Sequence, residues 1–482
     1  MIAREYGFSS WPRLKEHAEG TYRDLSQRID HFLRWACSTE ARGPDGGHLA
    51  RAKAALAESP ELAAADISIQ IALGDAEAVR KAIEADPDFA RSACGLREWL
   101  PLPYSVHSCF HTDPQYADGI GECAQLLLDL GADPNAGTSS MGTDRSESEF
   151  PILLSAIERT RNVHFVEQLL IAGADPVTTG AYYNTWTCTD TAIPELLYAH
   201  GAPVNGLDFE THCPGILLHR LRANPDDTSS LGWFLERGAD PNIRNPGTRH
   251  RVPLHGAVEH ASSPVLRFLL DHGADPTIKD DDGRSPVGLA VRGGDAEKVA
   301  ILLEYGGIDD TTPYDHLIGA AIRGDDDDVQ RLAKEVDLSA STRDQKQEFL
   351  NFAQSGQLSA VKAMLLAGMD IAVTTSMFHA TALDRAALHG RSEMVRYLVE
   401  QSAPLEVKHQ WGGTPLGSSL HGLVHFPEED GDYAGVVDAL LSAGAQHTFI
   451  KGPVGVEAVD RVLCDHGNIP EGSEQTPSKQ WP

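Results

Sequence analysis

"VPLHGAV" (residues 252–258) and "SPVGLAV" (285–291) stand 33 residues apart, and the stretches after them, "FLLDHGADP" (268–276) and "ILLEYGGID" (301–309), keep the same shift. Self-similarity at such a period is the mark of stacked supersecondary units. Working outward, a Gly that closes an apolar helical stretch recurs as Gly131, Gly173, Gly201, Gly238, Gly273, Gly306, Gly368 and Gly444. A second rule is sharper. Gly74, Gly294, Gly324, Gly356 and Gly390 are each followed five positions later by Val79, Val299, Val329, Val361 and Val395. After the last four comes an apolar pair or near-pair: Leu302/Leu303, Leu332/Ala333, Met364/Leu365 and Leu398/Val399. In three units the next turn residue falls twelve positions after the leading Gly, as Gly306, Gly368 and Ser402. Gly ends a first helix in a left-handed cap, and the Val and Leu positions form the inward stripe of a second. One such pair cannot bury its stripe alone, but a stack can.

"VPLHGAV" and "TALDRAA" (381–387) approach the pattern T-P-L-H-x-A-A, and the chain resembles the ankyrin repeat family. The resemblance implies an all-α fold, an ankyrin-type helical solenoid of helix–turn–helix repeats with short turns. Spacing is uneven: 42 residues separate Gly131 from Gly173, and 28 separate Gly173 from Gly201. The 62 residues from Gly306 to Gly368 hold one degenerate unit around Gly324. About ten units are expected, with insertions at 105–120, 135–150 and 421–435 read as loops on one face. The expected organisation is an N-terminal helical segment (1–49), degenerate helical repeats (50–120), an array with insertions (121–450), a capping helix (451–467) and a disordered tail (468–482). That tail is polar and Pro-rich, with little to bury.

"YGFSSWPRLKEH" (6–17) reads as a helix end at Gly7 and a new start at Ser10 and Pro12. Six residues before Gly7 are too few for a stable helix. With "ADISIQIALGDAEAV" (65–79) and "GGTPLGSSLHG" (412–422), this segment resembles a group of bacterial proteins with degenerate ankyrin arrays, in which further helices precede it. Residues upstream of Met1 are therefore expected; the other reading is an array that begins with a frayed cap.

The chain has 482 residues and a formal charge of −30. Such acidity repels phosphate backbones and anionic lipid, which disfavours nucleic acid and membrane as partners and favours a neutral or basic protein. Seven scattered cysteines, none in a CxxC pair, argue against a disulfide framework and for a reducing compartment, so a cytoplasmic location is expected. No apolar signal core opens the sequence, and no uninterrupted apolar run is long enough for a membrane helix.

Chemistry is sparsely written. "VHSCFH" would place His107, Cys109 and His111 on one face of a strand, but no fourth ligand is identifiable and no metal is expected. His255 of "VPLHGAV" is read as structural, by the role its position has in the family. "GDDDDV" (324–329) suits a helix start, and "KDDDG" (279–283) suits a turn. No nucleophile elbow, phosphate loop or dinucleotide fingerprint appears, so no cofactor is expected. The stronger candidates are aromatic residues at turn tips: Trp411 in "KHQWGGTPLG", and Tyr182, Tyr183 and Trp186 in "AYYNTWT". Packing on a neighbouring turn is the competing reading, favoured for the Tyr182–Trp186 group. The expected function is capture of a protein partner in a concave acidic groove. The alternative is an enzyme or small-molecule-binding protein whose pocket would draw on His107, His111, His379, His421 and His425.

Overall fold

The computed structural model describes residues 24–37, 48–138, 150–177, 181–185, 188, 190–205, 216–245, 251–374, 379–447, 450 and 452–467. Segment 1–23, residues 139–149 and the tail 468–482 lie outside the described residues. Two compact units divide the chain, Met1–Gly283 and Arg284–Pro482. Among the described residues the structure is helical, apart from a two-residue antiparallel ribbon, Gly137–Thr138 against Phe150–Pro151, and two isolated bridges.

The first unit is a series of helical hairpins. Ile67–Ala72 packs on Ala76–Ala85, Pro101–Val106 on Ala117–Asp129, Ile152–Arg159 on Val163–Ile171, Ile216–Ala223 on Thr228–Glu236, and Pro253–His260 on Ser263–Asp271. The second unit repeats the plan with Pro286–Arg292 and Ala296–Glu304, Pro313–Arg323 and Asp326–Leu332, then Arg343–Ser355 and Leu358–Leu366. Ala382–Leu388 with Ser392–Glu400, and Pro415–His425 with Tyr433–Ser442, complete the pairs, and Glu457–Asp465 packs against the last. Hairpins stack like on like. Ala382–Leu388 lies between Arg343–Ser355 and Pro415–His425, while Ser392–Glu400 packs on Tyr433–Ser442. The seam of the second unit runs through Phe349, Leu350, Leu383, Leu398, Leu416 and Val437, all fully or almost fully buried.

Local sequence explains the hairpins. Pro415, Pro313, Pro286 and Pro253 stand in the first turns of their helices, where a missing N–H costs nothing. Gly324, at φ +71°, ends Pro313–Arg323 and gives its N–H to the carbonyls of Ala320 and Ala321. Asp325 then accepts from the Asp328 N–H at 3.1 Å, with Asp326, Asp327 and Asp328 in the first turn of the next helix. The acidic run is thus a cap and a dipole complement. Of the sequence stripe, Val79, Val361 and Val395 are buried, as are Leu302, Leu332, Met364 and Leu398. The position after these is less faithful: Leu303 is 42% exposed. A helix with 3.6 residues per turn turns that side chain off the seam.

Turns are clamped to one another by side-chain amides. Asn135 donates to the Gly173 carbonyl at 3.0 Å and accepts from the Asp175 N–H at 2.7 Å. Asn205 treats Gly238 and Asp240 in the same way, and Asn242 treats Gly273 and Asp275. In the second unit Glu406 holds the equivalent place and accepts from the Gln446 N–H at 2.7 Å. Ser402 breaks the turn rule. It sits at φ +64° where other turns use Gly. A left-handed side-chain residue costs about 1–2 kcal/mol, and the extra unfolded-state freedom of Gly returns about 0.5–1 kcal/mol of that. Ser402→Gly is expected to stabilise the second unit by about 0.5–1 kcal/mol, read as a higher urea midpoint at unchanged slope; a lower midpoint would contradict it.

Two expectations are corrected. Segment 105–120 is not a surface loop: it finishes helix Pro101–Val106, forms a 3-10 turn at Cys109–Thr112, and enters helix Ala117–Asp129. Tyr104 and Phe110 are completely buried there, so aromatic volume ties the segment into the core. The strand reading of His107, Cys109 and His111 fails with it. The 421–435 stretch is helical to His425, leaving only a short turn that Asp432 N–H pins to the Gly390 carbonyl at 2.9 Å.

Candidate interaction surface

The turn before helix Pro415–His425 is built to lift one side chain off the surface. His409 N–H donates to the Gly413 carbonyl at 3.1 Å and Gly412 N–H donates to the His409 carbonyl at 2.8 Å, which closes the turn. Gly412 stands at φ +83°, and a Cβ on Gly413 would strike the His409 ring. Trp411 N–H donates to His409 Nδ1 at 3.1 Å and the two rings meet edge to face at 5.5 Å. With two glycines on its C-terminal side offering little to pack on, Trp411 remains 71% exposed.

Helix Pro415–His425 presents its outer side next to that turn. Leu416, Ser418, Ser419 and Leu420 face inward. His421, exposed, and His425, half-buried, are four residues apart and share a face, with ring centroids 4.4 Å from each other. Phe426, 67% exposed, places its ring 5.8 Å from His421 and 6.3 Å from His425. Partial burial, and then the charges of His425 and His409, hold the His421 pKa below its ordinary value. Beneath the turn, Asp384 is buried and accepts from the Ser418 hydroxyl at 2.6 Å. Burial raises the Asp384 pKa, against the opposing effects of Ser418, His409 and Arg385.

Trp411, His421 and His425 thus fall in one neighbourhood of the second unit. His379 stands in the preceding turn, exposed at φ +55°. Tyr182 is only 7% exposed, stacks edge to face on Phe234 at 5.7 Å, and is a packing residue. Trp186 and the Tyr183 side chain lie outside the described residues. Sequence reasoning did not single out His409 or Phe426. The spacing H-x3-H-F on a helix and a His two residues before Trp411 were the available signals.

The other candidates resolve into structure. His111 Nε2 lies 2.7 Å from the Ser105 carbonyl, its ring packs on Phe165, and burial pushes its pKa down to about 4. His255 accepts from the Val252 N–H at 3.0 Å, deep inside its repeat. A depression of about 360 Å³ is lined by Thr311, His316, Arg323, Asp328, Arg331 and Glu335, but Arg331 is already paired with Asp328 at 2.8 Å and Glu335 at 3.0 Å. Among the described residues no group of three or more His, Cys, Asp or Glu side chains is arranged to hold a metal, and no helix is long and apolar enough to cross a membrane.

Comparison with known proteins agrees with the hairpin geometry. The family model for ankyrin repeats (3 copies) matches residues 218–314 and 317–419. The ankyrin repeat and KH domain-containing protein mask-1 of Caenorhabditis elegans is 24% identical over 217 residues, 44% of this chain and 8% of that protein. Ankyrin repeat protein nuc-2 of Neurospora crassa is 30% identical over 154 residues, 31% of this chain and 14% of its own length. A putative ankyrin repeat protein of fowlpox virus, FPV222, is 39% identical over 62 residues, 13% of this chain and 8% of that protein. The chain therefore spans only a small part of each of these curated relatives. Stacked helix–turn–helix units, left-handed turn glycines and the matched motifs agree: residues 218–314 and 317–419 carry ankyrin repeats within an all-α fold of ankyrin type.

Proposed function

We propose that this protein binds a neutral or basic protein partner in an acidic groove lined by turn tips and first helices of its repeats, with Trp411, Phe426, His421 and His425 as contact residues. The observation that carries the reading is the pair of large aromatics, Trp411 at 71% and Phe426 at 67% exposure, flanking the His421–His425 face. Most large apolar side chains in the second unit sit in its seam, and exposed aromatics set in a polar rim are the usual anchors of interfaces. The charge of −30 supplies long-range attraction for a basic partner and repulsion for nucleic acid or anionic lipid. Ankyrin repeats generally mediate protein–protein contact, which is consistent with this assignment. A cytoplasmic site of action completes the proposal, supported by seven cysteines that are scattered along the sequence with no CxxC pair.

Affinity capture from the native host tests it. Trp411→Ala is expected to weaken binding of the captured partner by about 30-fold, corresponding to about 2 kcal/mol for a central aromatic anchor. Unchanged capture by a Trp411→Ala/Phe426→Ala double variant that keeps its helical circular dichroism would sink the assignment.

A further inference from the structure

We propose that His421 and His425 form a bidentate site for a divalent transition-metal ion on the outer face of helix Pro415–His425. The reading stands on the geometry of the pair and not on the docking role proposed above. The two imidazoles are one helical turn apart on a single face, which is the spacing by which a helix offers two nitrogens to one zinc ion. A metal–nitrogen distance of about 2.1 Å puts each ring centre about 3.2 Å from the ion, so two rings bound side by side have centres about 4.5–5 Å apart. The observed separation is 4.4 Å, with the planes inclined by 46°. The ring centres thus already stand about as far apart as in a pair that shares one ion.

The helix that carries them is rigidly placed. Leu416 and Leu420 are buried below, and Gly422 sits so close to the Leu388 carbonyl that it admits no side chain. His425 occupies the last turn, where the helix dipole favours a cation. His409 lies close enough to act electrostatically on His421. With two nitrogen donors and the remaining positions open to water, the site suits Cu2+, Ni2+ or Zn2+ and offers nothing to Mg2+, which requires oxygen ligands.

The test is calorimetric titration of the full chain with Zn2+ alone, with Mg2+ as the contrast. The wild-type protein and a His421→Gln/His425→Gln variant of unchanged helical content are compared. Loss of one zinc equivalent in the variant, or a tenfold or greater weakening of that equivalent, is the expected result. Side-chain imidazole NMR signals of His421 and His425 should be the first to shift or broaden. Identical stoichiometry and affinity in the two proteins, or first changes at other histidines, would overturn the assignment. Neither measurement involves a protein partner, so failure here and failure of the docking proposal are separate outcomes.

Discussion

Arg292→Met is expected to destabilise the second unit by about 3–5 kcal/mol at pH 7, the cost of breaking an ion-pair cluster built around a buried arginine. Arg292, at the end of helix Pro286–Arg292, is 9% exposed. Its guanidinium donates to Asp315 Oδ1 at 2.6 Å and to Glu348 Oε1, and lies 5.1 Å from the centre of the Tyr314 ring. Glu348 also accepts from the Tyr314 hydroxyl at 2.8 Å, and Arg284 stands 3.6 Å away. Three successive first helices are joined by this one side chain. Burial alone would lower the Arg292 pKa, but Glu348 and Asp315 outweigh it and the net shift is upward.

The pH dependence follows from Asp315. Burial raises its pKa, yet bonds from Thr312 and Arg292 bring it below the ordinary value. A carboxylate with a lowered folded-state pKa adds stability above its unfolded pKa of about 3.9 and loses it as pH falls through the folded value. Once Arg292 is gone, the same half-buried carboxylate lacks its cation and gains from protonation. The difference between wild type and variant should be largest near pH 7 and shrink below about pH 4. Urea denaturation followed by circular dichroism at the two pH values measures it; a pH-independent difference would show that Arg292 acts through packing alone.

Legibility from sequence tracked the range of each interaction. Gly324 with Val329, or Gly390 with Val395, could be read because a turn and the helix after it lie within a few residues. The sequence around Trp411 places it at a turn tip but leaves open whether it packs on a neighbouring turn; its 71% exposure decides that. The Arg292–Asp315–Glu348 cluster was not legible, since its members lie 23 and 56 residues apart and off the repeat period. For Tyr182 packing was the favoured reading, but its partner, Phe234, is remote in sequence and could not be named. Segment 105–120 misled because an aromatic-rich 3-10 turn carries no helical periodicity, although it fills the core as a helix would.

Gly422→Ala is expected to cost about 3 kcal/mol, although Ala is the better helix former by about 1 kcal/mol. A Cβ at this position would be driven into the Leu388 carbonyl, a backbone group that has no rotamer to escape to. Relief would come only by parting helix Pro415–His425 from Ala382–Leu388, which pack directly on each other. The same carbonyl lies 3.3 Å from the Tyr433 hydroxyl, which also reaches the Phe426 carbonyl at 3.4 Å and accepts from the Glu428 N–H at 3.3 Å. Tyr433 is 4% exposed, and parting the helices would take the Leu388 carbonyl from its hydroxyl. Tyr433→Phe removes that knot without creating a clash, and should cost about 1 kcal/mol. Because the two sites share the Leu388 carbonyl, the double variant should lose less than the sum of the single losses. Urea midpoints of the four proteins test this. Additive losses, or a Gly422→Ala cost below about 1 kcal/mol, would mean that the stack yields at this seam. In that case the face carrying His421, His425 and Phe426 would not be held rigidly enough to act as a preformed surface.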